Sequence, residues 1–144
     1  MPRSDEAASF FIAVYRAVQE IPEGKVTTYG CIARLVGTPQ RARQVGVCLK
    51  HLPRDPGARF HDGNVPWHRV INANFKISPR SHPAGTRNQA EALLAEGVQV
   101  SRNALGEWTI GGDRAYEMYG WFPHILPSEE EAGEESGSSE SEHE

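Results

Sequence analysis

With 144 residues, 38% of them apolar and 24% charged, the chain has room for one ordinary domain with a modest core. No run of eighteen apolar residues occurs, which excludes a transmembrane helix, and the start Met-Pro-Arg-Ser-Asp-Glu lacks the layout of a secretory leader. The net charge of −4 hides an asymmetry: eight of the nineteen acidic residues are glutamates after residue 127, so residues 1–127 carry +4.

The first predicted element is an amphipathic helix. Ser4 is a suitable N-cap, and Asp5 and Glu6 follow in the first turn, where the helix dipole favours acids. Apolar residues then recur at Ala7, Phe10, Phe11, Val14, Val18 and Ile21, until Ile21-Pro22-Glu23-Gly24 breaks the pattern. Its stripe is core packing.

A second, short helix is predicted from the Thr27-Thr28 cap through Ile32, Ala33, Leu35 and Val36 to Gly37. Thr38 then caps a third, with Pro39 at the tolerant first position and the helix running to Lys50. Two short helices about a glycine turn outline a helix-turn-helix. The third helix sets Ala42, Val45 and Leu49 on one side. On the other stand Gln40, Arg43, Gln44, Val47, Lys50 and His51, and no acid occurs between Arg41 and Arg54. Residues 25–102 carry +8, with twelve Lys or Arg against four acids. Such a stripe attracts polyanions: arginine and lysine hold phosphates, and Gln and Arg bond base edges. Gly46 weakens its helix, which hints that something approaches the backbone closely.

Residues 52–65 read as a long Pro- and Gly-rich loop, followed by the compact element Pro66-Trp67-His68-Arg69-Val70-Ile71. A fourth helix is predicted from Gly85 to Glu96, ending at Gly97. Val98–Val100 and Trp108–Ile110 are predicted as a hairpin, and Tyr116, Met118, Tyr119, Trp121 and Phe122 as a segment docked on the core. From Ser128 the chain is Ser, Gly and Glu without a large apolar residue, and a disordered acidic tail is predicted over 128–144, leaving 4–127 as the domain.

The order Ile21-Pro22-x-Gly24-x-Val26-x-Thr28-Tyr29-Gly30-x-Ile32-Ala33, Ala42-Arg43-Gln44-Val45-Gly46, Val65-Pro66-Trp67-His68-Arg69-Val70-Ile71 and Glu96-Gly97-Val98 resembles the DNA-binding domain of the O6-alkylguanine-DNA alkyltransferases. The resemblance spans about residues 9–100. In the active enzymes the position of Trp67 is the cysteine of Pro-Cys-His-Arg-Val that accepts the alkyl group, so the chain is similar to the alkyltransferase-like branch. The resemblance implies a mainly helical, winged helix-turn-helix-like fold with a small β hairpin. It implies a protein without catalytic residues, metal or cofactor, since an indole lacks the thiolate that alkyl transfer needs. His68 and Glu96 match the groups that serve that thiolate. Trp67 instead offers a flat apolar wall for an extrahelical base.

By the same resemblance, Arg43 fills the gap left by the rotated nucleotide and Tyr29 turns the adjacent phosphate, offsetting the few kcal/mol that unstacking costs. The lesion pocket is expected from Tyr29, Pro66, Trp67, Val70, Arg80, Pro83, Ala84 and Gly85. The DNA surface is expected from Thr28, Tyr29, Gln40, Arg41, Ala42, Arg43, Gln44, Gly46, Lys50 and Arg69. Entry by the minor groove and bending toward the major groove are implied. So is flagging of the lesion for nucleotide excision repair. Two cysteines, Cys31 and Cys48, are too few for a disulfide scaffold, and a monomer inside the cell, in the nucleus, is expected. Three features depart from the pattern. The loop after His51 is longer, Ala73-Asn74-Phe75 replaces a turn that commonly holds glycine, and Pro83 and Ala84 replace a tyrosine and a serine.

Two other readings fit the residues: an active alkyltransferase using Cys31 or Cys48, and a sequence-specific helix-turn-helix regulator. The first would need a thiol outside the Pro-x-His-Arg-Val element. The second would favour a palindromic site and a dimer, for which no zipper or long apolar stripe is present.

Overall fold

The computed structural model describes residues 5–79 and 83–133. Helix α1 (Asp5–Gln19) presents Val14, Tyr15, Ala17 and Val18 to the interior. The strand β1 (Thr27–Thr28) leads into α2 (Tyr29–Leu35), capped as predicted: the Thr28 hydroxyl accepts the Cys31 amide at 3.1 Å. Gly37 takes a left-handed φ of +86°, and the Thr38 amide closes the turn on the Ala33 carbonyl. Thr38 then makes no side-chain cap. A single 3₁₀ turn, Pro39–Arg41, precedes α3 (Ala42–Lys50), so the regular helix starts three residues later than the pattern predicts. Proline supplies no amide, and an uncapped first turn tightens to the 3₁₀ form.

Trp67–Arg69 forms another 3₁₀ turn and runs straight into β2 (Val70–Ile71). This strand pairs in parallel with β1, Thr27 opposite Val70 and Thr28 opposite Ile71. On the other side of β1, Val26 bonds the backbone of Tyr119 and Trp121. Helix α4 (Pro83–Ala95) begins two residues before the predicted start, and Gly97, at φ +87°, turns the chain just beyond its end. The hairpin is antiparallel, β3 (Val100–Arg102) with β4 (Trp108–Ile110), so its first strand lies two residues beyond the predicted one. Its turn is held by the Asn103 carboxamide, which accepts the amides of Leu105 and Glu107, and by Gly106 at φ +80°. Helix α5 (Ala115–Tyr119) follows; its Tyr119 carbonyl accepts the Val26 amide just before β1, and Tyr116 and Met118 are exposed.

Two apolar clusters result. One joins α1, α2 and α3; the other joins β2, α4 and the hairpin. The Gln89 carboxamide spans them, donating to the carbonyls of His68 and Val70. The predicted tail departs from expectation at its start. Leu126 is buried, residues 127–133 are helical, and Ser128 bonds both carboxylate oxygens of Glu20 through its amide and hydroxyl. A buried leucine and a carboxylate cap order a segment whose composition alone is too polar to fold. Residues 134–144, like Ser4, lie outside the described residues.

Candidate nucleic-acid interface

Helices α2 and α3 meet across the Gly37 turn and expose one cationic flank. Gln40, Arg43, Gln44 and Lys50 are exposed, whereas Val45, Cys48 and Leu49 are buried. Arg41 differs from its neighbours: its guanidinium lies 5.6 Å from the Phe10 ring centre and 3.8 Å from Glu6, which draws it toward α1. The Tyr29 ring lies over Gly46, where an added Cβ would meet it at an ordinary 3.8 Å. Among the described residues, no atom near Gly46 requires glycine there.

Beside this flank opens a cavity of about 740 Å³. Tyr29, Ala42, Arg43, Gly46 and Lys50 supply the helix-turn-helix side, Trp67 supplies an aromatic wall, and Gly85 and Asn88 of α4 stand at another edge. Arg43 and Lys50 bring positive charge to its rim, and Asp62 is the one acid among its described lining residues. A half-enclosed recess with a flat apolar wall and cationic edges suits a planar heterocycle attached to a phosphodiester.

The turn that carries Trp67 is pinned at both ends. Val65 and Val70 are fully buried, the Trp67 amide donates to the Val65 carbonyl at 2.7 Å, and the Arg69 amide to Pro66 at 3.0 Å. Behind the indole, His68 and Arg69 converge on Glu96. His68 Nε2 lies 2.6 Å from Glu96 Oε2 and Arg69 Nη2 2.8 Å, while the Gly24 amide donates to Oε1 at 3.0 Å. Burial alone would raise the Glu96 carboxyl; the hydrogen bonds from Arg69, Gly24 and His68 outweigh it and hold the pKa at about 2. The indole meets the His68 ring edge to face, centroids 6.2 Å apart.

Of the expected pocket residues, Tyr29, Trp67 and Gly85 line the cavity together. Val70 does not: its side chain is fully buried in the core, because the β1–β2 pairing turns it inward. Pro66 starts the turn and is not among the cavity's described lining residues. Arg80 lies outside the described residues, as do the side chains of Pro83 and Ala84 at the start of α4. Of the expected DNA contacts, Arg69 is engaged within the protein. Its guanidinium is committed to Glu96 and, through Nη1, to the Ile21 carbonyl at 2.7 Å. An arginine so engaged supports the turn. Thr28 is the helix cap.

The cavity also recruits Leu49, Leu52, Arg54, Asp62, Ser78, Pro79 and Asn88, none of them expected from sequence. Asn88 had a usable signal, since it follows Gly85 by three positions on one helix face. Arg54 and Asp62 had none beyond their place in a loop that must return to Trp67. Cys31 and Cys48 are both buried, and neither lines the cavity.

Residues 9–98 match the family described as 6-O-methylguanine DNA methyltransferase, DNA binding domain. The chain is 48% identical over 121 residues to alkyltransferase-like protein 1 of Schizosaccharomyces pombe, covering 84% of this chain and 99% of that protein. It is 44% identical over 99 residues to the DNA base-flipping protein of Escherichia coli, covering 69% and 70% respectively. Its fold matches the crystal structure of S. pombe Atl1 in complex with damaged DNA containing O6-carboxymethylguanine. There the TM-score is 0.68 at 46% identity, with 85% of this chain and all of that one covered.

Proposed function

The chain belongs to the family of the 6-O-methylguanine DNA methyltransferase DNA-binding domain, and from that membership we propose that it recognises O6-alkylguanine in duplex DNA without repairing it. In this reading α3 enters the minor groove and Tyr29 and Arg43 displace the modified nucleotide. The base is then held against Trp67 while the duplex bends. Unstacking a base costs a few kcal/mol, least when its pairing is already impaired by the adduct; stacking on an indole returns about 1–3 kcal/mol. The lesion thus becomes the base that is easiest to extract.

One observation carries the proposal: an indole lines the recess beside Tyr29 and Arg43, backed by a hub whose charges are already satisfied. Transfer of the alkyl group requires a nucleophile in reach of it, and the buried thiols of Cys31 and Cys48 are not cavity-lining. The complex would therefore persist and mark the site for nucleotide excision repair, in the nucleus. The names of its relatives and the damaged-DNA complex of one of them support the lesion-recognition part of this reading.

The test is to incubate the protein with a duplex holding a single O6-methylguanine, then to measure the mass of the protein and the lesion content of the DNA. Tighter binding than to the unmodified duplex, with the protein mass and the lesion content unchanged, is expected. A methylated protein and a restored guanine would overturn it.

A further inference from the structure

The long loop between α3 and the Trp67 turn is built rigidly. Phe60 packs on Tyr15 with ring centroids 5.5 Å apart. The Asn64 carboxamide accepts the His61 amide and donates to the Arg59 carbonyl, and Gln19 donates to the Asn64 carbonyl at 3.1 Å. The Asp62 amide donates to the Pro53 carbonyl at 2.9 Å and closes the neck of the loop. That neck walls the cavity: Arg54 and Asp62 line it together with Leu49, Leu52 and Trp67. Arg54 is exposed and makes no ion pair among the described residues.

We propose that Arg54 is a specificity-determining residue of this cavity, selecting lesions whose O6 substituent ends in a carboxylate over those that end in an alkyl group. The inference rests on the reading that the cavity receives a displaced base. At about 740 Å³ the recess lies well inside the ~300–1,000 Å³ range of sites that enclose drug-sized ligands, so a base stacked on Trp67 leaves room for a substituent. Arg43, Lys50 and Arg54 outnumber Asp62 on its wall. A guanidinium forms paired N–H bonds with a carboxylate, and these strengthen where water is partly excluded. A methyl group offers it nothing. The competing use of an exposed arginine, contact with a backbone phosphate, would act equally on every duplex.

The experiment compares the full-length protein with Arg54→Gln and Asp62→Asn. Binding is measured at fixed salt to three otherwise identical duplexes containing guanine, O6-methylguanine or O6-carboxymethylguanine. Arg54→Gln is expected to weaken the carboxymethyl duplex by about tenfold and the other two by less than about twofold. Asp62→Asn is expected to tighten the carboxymethyl duplex alone. An equal loss on all three duplexes, with a salt slope shallower by about one, would assign Arg54 to a phosphate and overturn the proposal. Wild-type preference for both lesions combined with a silent Arg54→Gln would overturn it while leaving lesion recognition intact. Failure of the wild-type protein to prefer either lesion would defeat both readings.

Discussion

Trp67, His68 and Arg69 occupy one 3₁₀ turn, yet they belong to two regions with opposite physical habits. His68 and Arg69 face a closed network in which Glu96 is bonded from three directions and its carboxyl sits near pKa 2. Trp67 faces a recess whose cations Arg43, Lys50 and Arg54 make no ion pair among the described residues. A closed network raises stability and orients the turn; an open set of charges is available for a ligand. Charge count alone does not separate the two, but partner count does. By that measure Arg69 belongs to the closed side, since its guanidinium is engaged by Glu96 and the Ile21 carbonyl.

The largest expected effect breaks the closed side. Glu96→Gln replaces a part-buried, charge-paired carboxylate and leaves Arg69 with a weaker acceptor, lowering unfolding stability at pH 7 by on the order of 2 kcal/mol. The pH dependence has a definite sign. The native carboxyl titrates near 2 against an ordinary value of 4.5, so its contribution is complete above 4.5 and fades as the pH falls toward 2. Denaturant unfolding of the two proteins across that interval should show the gap closing on acidification. A gap that stays constant would detach the hub from stability.

Breaking the open side is expected to do the converse. Trp67→Ala removes the stacking surface, at a cost of roughly 1–3 kcal/mol in lesion affinity, or about five- to 150-fold, while binding of unmodified duplex changes little. Trp67→Phe should recover most of the loss. Competition binding with lesion and unmodified duplexes reads this directly. An equal loss on both would mean that the indole acts as scaffold.

Much of this division was legible in the sequence, because the helix-turn-helix rests on local signals. The Thr28 cap, the Gly37 turn and the helical spacing of Val45 and Leu49 each operate within a few residues. The parts that were not legible depend on distant ones. Arg69 is captured by a carboxylate 27 positions later and a carbonyl 48 positions earlier. The β1–β2 pair is two residues long on each strand and joins segments on either side of the whole helix-turn-helix, so no alternation announces it. Phe75 shows a third kind of difficulty. It takes φ +57° where glycine would be unstrained, held by the Asn72 turn and by ring contacts with Tyr116 and Phe122. That compensation is tertiary, and the strain of a left-handed non-glycine residue, of order 1 kcal/mol, becomes visible only with it.

The smallest effect expected is the sharpest test of what comes near α3. Gly46 lies inside the helix, where alanine is better by about 1 kcal/mol, and the added methyl would touch the Tyr29 ring only at normal contact distance. In the free protein, Gly46→Ala should therefore raise thermal stability by a few degrees. If duplex DNA packs against this face as closely as a small-residue helix allows, the same methyl must be accommodated at the interface, and affinity for every duplex should fall by a few-fold irrespective of the lesion. Stability and binding then move in opposite directions for one substitution. Should affinity stay level while stability rises, the backbone of α3 is not approached, and the cationic flank would bind DNA through its long side chains alone.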